Sequence, residues 1–138
     1  MKYQFFTSKE ITPAGWLRKQ LELQASGLCG NLDKIWPDIR DSAWVGGDRE
    51  GWERVPYWLD GFIPLAFLLR DDDMIARAKR FIDQILSFQQ EDGWLCPNGN
   101  TPREKYDTWA IQLMAKVLTV WYGCAKLRMT EMPMVKRT

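Results

Sequence analysis

The stretch Gly51–Pro97, GWERVPYWLDGFIPLAFLLRDDDMIARAKRFIDQILSFQQEDGWLCP, decides the fold. It reads as a nearly all-apolar helix, a charged turn, an amphipathic helix and a Gly-Trp loop. From Val55 to Leu69 the only charge is Asp60, and a helix apolar on every face is expected to be buried on every face. Pro56 suits a first helical turn, whereas Pro64 predicts a kink. Asp71-Asp72-Asp73 caps the next helix and complements its dipole. That helix is expected to reach about Gln89. Ile75, Ala78, Ile82, Ile85 and Gln89 form its dry stripe, widened by Met74, Phe81 and Phe88. Arg77, Lys79, Arg80, Asp83, Gln84 and Ser87 take the wet face, with Lys79 and Asp83 spaced for an i,i+4 pair. Glu91-Asp92-Gly93 marks a turn that leads into Trp94.

Two further helices flank this hairpin. Thr12-Pro13 is a helix-start signal, a capping hydroxyl followed by Pro at the first position. The helix it opens is expected to run to Ser26, with Trp16, Leu17, Leu21 and Gln24 along one side and Gly27 and Gly30 at its end. Asn31–Trp36 suits a single turn, and Asp41–Gly51, with its three glycines, reads as a flexible loop. The last helix is expected from about Asp107 to Tyr122, with Gly123 as its stop. It too is nearly apolar all round, so its free face is expected to drive self-association. Cys124–Thr138, basic and broken by Pro133, reads as an irregular tail. The domain expected is therefore residues 1–123, followed by a tail of residues 124–138.

Buried helix, wet helix, buried helix is the order that an inner and an outer ring of helices produce. The fold class expected is all-α, a partial α/α toroid of about four main helices with inner and outer ring alternating. A compact irregular bundle is the alternative. A closed ring of twelve helices needs on the order of 250 residues, so 138 residues suggest one part of a ring.

Composition excludes several chemistries. The chain has no His, which removes Ser-His-Asp and Cys-His catalysis and every His-based metal site. Cys29, Cys96 and Cys124 are odd in number and widely spaced, so free thiols are expected and a metal site is not. A net charge of +1 gives no footprint for nucleic acid or an anionic membrane. No apolar run suits a signal peptide or a membrane span, and a cytoplasmic location is expected. Eight Trp residues are the outlier. They suit either core filling or a surface on which sugar rings stack.

Trp58-Leu59-Asp60-Gly61, followed one helix later by Gln89-Gln90-Glu91-Asp92-Gly93-Trp94-Leu95, resembles glycoside hydrolase family 127, the β-L-arabinofuranosidase-like proteins with an (α/α)6 barrel. Pro13-Ala14-Gly15-Trp16-Leu17 and Val120-Trp121-Tyr122-Gly123 also look like that family's N-terminal region. The resemblance spans roughly Thr12 to Gly123. It implies the N-terminal part of a hydrolase acting on arabinofuranosides or related plant-type glycans in carbohydrate metabolism. It also implies a catalytic Cys held with other Cys and a Glu around zinc, and a separate acid/base Glu. All of these lie farther along the barrel than this chain reaches. The family's sugar-holding His, which belongs near Gln112-Leu113, is missing. As an isolated fragment the chain is expected to be inactive, with no catalytic residue, no metal ligand and no cofactor of its own.

A glycosidase needs two carboxyl groups across the scissile bond. Asp48, Glu50, Glu53, Asp60, Asp92, Glu104 and Asp107 supply the candidates. The residues expected to face a carbohydrate are Glu53, Arg54, Trp58, Asp60, Asp92 and Trp94. Glu53 and Arg54 lie beside the Gly-rich loop, as either dipole partners or ligand contacts. Asp60 sits on an apolar helix, where burial raises a carboxyl pKa unless a cation is near; it either locks two helices together or meets a substrate hydroxyl. Trp94 either plugs between helices or faces the ligand. Two other readings stand beside this one. A non-enzymatic helical interaction module would dock through the last helix and tail. Another toroid, such as a terpene cyclase, is weakly suggested by Gln90-x-x-Gly93-Trp94.

Overall fold

The computed structural model describes residues 6–8, 10–97 and 102–129. The chain is all-α. The described residues contain six α-helices: α1 Gly15–Ser26, α2 Leu32–Ile35, α3 Pro37–Arg40, α4 Arg54–Leu69, α5 Asp72–Ser87 and α6 Thr108–Met129. Two 3-10 turns, Ala43–Val45 and Arg103–Lys105, lie in the loops before α4 and α6.

α4 is the centre of the packing, with α1, α3, α5 and α6 all against it. Val55, Trp58, Leu59, Phe62, Ile63, Leu65, Ala66 and Phe67 place it in the core. Trp58 meets Phe81 edge-on at 4.9 Å, and four residues on, the Arg77 guanidinium lies 5.0 Å over the Phe62 ring. As numbers rise along α4 they fall along α5, so the two are antiparallel. α6 behaves oppositely. Glu53 bonds Trp109, Asp60 bonds Lys116 and Phe67 meets Trp121, so α4 and α6 run parallel with nearly constant offset. The N-terminal ends of α4 and α6 therefore lie side by side.

Sequence expectations fail here in instructive ways. α4 is not buried all round: Tyr57, Asp60, Gly61, Pro64 and Leu68 form a stripe at helical spacing that is partly or fully exposed. Pro64 lies on that stripe. The bond it removes belongs to the Asp60 carbonyl, on the side that solvent can reach, and α4 continues through it. α6 also has an open face, with Gln112, Ala115, Lys116, Thr119, Tyr122 and Gly123 exposed. That face mixes polar and small residues, unlike the apolar surface expected. Gly123 does not stop the helix, and Cys124–Met129 are helical rather than an irregular tail. A helical Gly costs only about 1 kcal/mol, and Cys124 and Ala125 beyond it pack against the core. The remainder of the expected tail lies outside the described residues. α1 starts at Gly15 with Ala14 as its N-cap and no side-chain cap, so Thr12-Pro13 does not open it. It buries no residue fully, and Trp16 is 78% exposed.

The loop expected to be flexible is tightly knitted. Ser42 Oγ donates to the Glu50 carbonyl at 2.5 Å and accepts from Trp44 N. Gly47 N and Arg49 N donate back to the Ser42 and Asp41 carbonyls. The Trp44 ring is wholly buried, and its Nε1 donates to the Trp52 carbonyl at 2.8 Å. Close approach explains Gly47: a Cβ there would fall 1.9 Å from the Asp41 carbonyl oxygen. Polar backbone that a loop would otherwise leave bare is thus paired internally.

α5 matches its expected stripe except at three positions. The helix ends at Ser87, so Phe88 and the exposed Gln89 lie beyond it, and Arg77, assigned to the wet face, is buried. Arg77 Nη1 donates to Asp33 at 2.7 Å, Nη2 to the Gly30 carbonyl at 2.9 Å and Nε to Asp73 at 3.0 Å. This locks α2 and the turn before it onto α5. Breaking a buried pair from one side leaves an uncompensated charge and costs about 3–5 kcal/mol. Arg77→Met should therefore lower the urea midpoint sharply. The double change Asp33→Asn with Arg77→Met should recover a large part of that loss.

α4 ends in a Schellman arrangement, with Asp71 N bonded to the Ala66 carbonyl and Arg70 N to the Phe67 carbonyl. The left-handed position, φ 57, is held by Arg70, where glycine is the unstrained choice. Arg70→Gly should raise unfolding stability by about 1 kcal/mol in the same denaturation assay.

Candidate functional site

The side-by-side N-terminal ends of α4 and α6 carry a cluster of aromatic and acidic side chains. The chain enters α4 through Glu50-Gly51-Trp52-Glu53 and enters α6 through Tyr106-Asp107-Thr108-Trp109. Trp52 Nε1 donates to Asp107 Oδ2 at 3.0 Å. Trp109 Nε1 donates to Glu53 Oε2 at 3.0 Å. The two indoles thus reach across to each other's helix. Asp107 Oδ1 also accepts from Trp109 N at 2.9 Å, starting the first turn of α6. Glu50 Oε1 accepts from Glu53 N at 2.9 Å, while Glu50 Oε2 is fully buried and without a hydrogen-bond partner among the described residues. The Tyr106 hydroxyl donates to the Gly51 carbonyl at 2.7 Å. Trp52 and Trp109 are 44% and 45% exposed. The result is two exposed indoles, each fixed at its N–H edge by a carboxylate.

Burial pushes the Tyr106 phenol well above its ordinary pKa, and nearby Cys96, Glu50 and Asp107 add to the shift. Both effects disfavour the phenolate. The folded phenol holds its proton more tightly than the unfolded one. The stabilisation is therefore complete below the ordinary pKa of 10.0 and is lost as pH rises above it. Wild-type stability should fall above about pH 10, and Tyr106→Phe should flatten that decline. Chemical denaturation at a series of alkaline pH values reads it directly.

The six residues expected to face a ligand do not converge. Glu53 alone belongs to the cluster. Arg54 is ion-paired with Asp38 and lies 5.0 Å over the Trp36 ring. Trp58 is a core residue, 5% exposed, with its Nε1 bonded to the Cys29 carbonyl at 2.8 Å; a ring packed on Phe62 and Phe81 offers no face to a ligand. Asp60 is not enclosed by apolar side chains. It pairs with Lys116 Nζ at 2.7 Å and ties α4 to α6. Asp92 accepts from Trp94 N at 3.0 Å and pairs with Arg103 at 2.8 Å. The backbone bond and the guanidinium hold its carboxyl below the usual range. Arg103 in turn lies 4.6 Å over the Trp94 ring. Asp92, Trp94 and Arg103 thus form a self-satisfied turn.

Sequence reasoning passed over Trp52, Tyr106 and Trp109. Glu50 and Asp107 stood among the candidate carboxylates, but nothing local linked them across more than fifty positions. The signal in the sequence is positional, an aromatic and an acid entering each of two nearly apolar helices.

Two other features are weaker. A groove of about 660 Å³ opens at the C-terminal end of α4, lined in part by Arg18, Glu22, Lys34, Arg70, Asp73 and Arg77. Arg18 pairs with Glu22 and Arg77 with Asp73, so its charges largely satisfy one another. Among the described residues no group of three His, Cys, Asp or Glu side chains could hold a metal ion. The zinc implied by the family resemblance therefore has no ligand set among them. No described helix is long and apolar enough to cross a membrane.

Comparison with protein-family models, with curated proteins and with solved structures finds no match to this chain. The likeness to glycoside hydrolase family 127 rests on its quoted residues alone.

Proposed function

We propose that this chain is a carbohydrate-binding helical wall, built like the N-terminal part of a family 127-type α/α toroid and without hydrolytic activity of its own. The observation that carries the reading is the pair of exposed indoles, Trp52 and Trp109, pinned by Asp107 and Glu53 where α4 and α6 begin. The apolar C–H face of a sugar lies well on a flat aromatic ring, and carboxylates accept from hydroxyls. The up, down, up course of α4, α5 and α6, which makes α4 and α6 parallel neighbours, supports the toroid. Arabinofuranosides and related plant-type glycans are the ligand class the resemblance suggests.

Intrinsic tryptophan fluorescence titrated with arabino-oligosaccharides tests this. Saturable quenching or enhancement is expected in the wild type. A contact with an aromatic ring contributes on the order of 1 kcal/mol, so Trp52→Ala or Trp109→Ala should weaken binding by about fivefold or more. No spectral response at saturating sugar would remove the proposal. Hydrolysis of an aryl β-L-arabinofuranoside that disappears in Glu53→Gln/Asp107→Asn would instead make the chain an enzyme.

A second reading, a helical interaction module, is favoured by α1. Its Trp16, Leu17 and Leu23 are exposed on a helix with no fully buried residue. Light scattering separates the two. A discrete dimer dispersed by Trp16→Ala would support the module, whereas a monomer with unchanged sugar binding would support the wall.

A further inference from the structure

We infer that the ligand of this surface is an oligosaccharide of at least three units, and that Trp36 holds its outer sugar. The inference rests on the carbohydrate-binding reading and sets the length of glycan that the site takes. Four tryptophans are exposed among the described residues: Trp16, Trp36, Trp52 and Trp109. Three of them converge on three consecutive positions, residues 52–54, where α4 begins. Trp52 is itself one of these positions. Trp109 reaches Glu53 through its indole N–H at 3.0 Å. Trp36 meets Arg54, whose guanidinium carbon lies 5.0 Å from the ring centroid. Trp36 comes from the junction of α2 and α3, and Trp109 from the first turn of α6. Rings from three parts of the chain therefore meet at one helix start.

The row is short enough for a single ligand. Consecutive Cα atoms stand about 3.8 Å apart, so little more than the Arg54 and Glu53 side chains separates Trp36 from Trp109. Each ring is also held. Arg54 donates to Asp38, which steadies the guanidinium that covers one face of Trp36. Trp36 nevertheless stays 38% exposed. Trp52 is held by Asp107 and Trp109 by Glu53. Every ring thus has a hydrogen-bonding side chain at its rim, and the arrangement occurs three times. Leaving three large rings in water forgoes the burial that would stabilise them. A ligand whose own unit repeats, an apolar C–H face rimmed by hydroxyls, covers all three at once. A single sugar would cover one ring and leave two bare. Trp36 is the outer position, because Trp52 and Trp109 are already tied to each other's helix between α4 and α6.

The experiment titrates the full chain with arabinose and with arabino-oligosaccharides of two and three units, by tryptophan fluorescence or calorimetry. Affinity should rise at each added unit, by about fivefold from dimer to trimer. Trp36→Ala should bring the trimer down to the affinity of the dimer and leave the dimer unchanged. Trp109→Ala should weaken both. Arg54→Gln, which removes the guanidinium from the Trp36 face, should reduce the gain of the trimer over the dimer in the same way. A wild type that binds dimer and trimer equally overturns the inference and leaves the sugar-binding wall standing. So does a Trp36→Ala chain that keeps the full gain of the trimer, or one that weakens dimer and trimer alike, which makes the ring merely structural. Absence of binding at every length overturns both readings. The wild-type comparison and Arg54→Gln decide the matter even if Trp36→Ala fails to fold.

Discussion

The loops of this chain are tied to its helices by indole N–H groups, and most of the architecture depends on that. α4 packs against four other helices, so the chain on either side of it must satisfy its own backbone in semi-buried surroundings. Tryptophan suits this because it fills core volume with its ring and still carries a donor at one edge. Trp44 fills the space under the loop and bonds the Trp52 carbonyl. Trp58 fills the α4–α5 interface and bonds the Cys29 carbonyl just past α1. Trp52 and Trp109 bond carboxylates across α4 and α6. The Trp-rich composition is thus divided between core and surface, and the same donor geometry serves both.

Arg77 makes a complementary tie. Its guanidinium reaches the turn between α1 and α2 through Gly30, α2 through Asp33 and its own helix through Asp73. Phe62 covers its face. Arginine is suited to this because its planar fork presents five donors and stays charged. α1 buries no residue fully and meets the core through Leu21 and Ala25, and this polar lock fixes the segment that follows it.

What the sequence made legible follows the periodic signals. The dry stripe of α5 and its Asp71 cap were readable because spacing and capping chemistry are local. The central burial of α4 was readable from its composition. The rest depended on tertiary placement. Arg77 sits among wet-face neighbours in the helical pattern, and its burial depends largely on Asp33 and the Gly30 carbonyl, both distant in sequence. Gly123 has the form of a stop, but packing of Cys124 and Ala125 carries α6 past it. Trp58 and Asp60 looked like ligand residues because both stand out on an apolar helix. The first turns inward to Cys29 and the second sideways to Lys116. The aromatic-acidic cluster was invisible as a unit because its halves come from two helix entrances that only a parallel arrangement brings together.

That parallel arrangement also bears on why acids stand there at all. Two helices side by side and pointing the same way place two partial positive ends together, and carboxylates near them are stabilising. Asp107 and Glu53 therefore have a structural reason to exist whatever binds. The dipole argument, however, accounts only for charge near the helix ends. It does not require the indoles to be exposed, since Trp rings gain most from burial. Nor does it require Glu50 to bury an oxygen without a donor. Those two features run against folding stability rather than with it. Such a cost at the surface is what the carbohydrate-binding proposal calls for, since a site holds groups that folding alone would bury or pair.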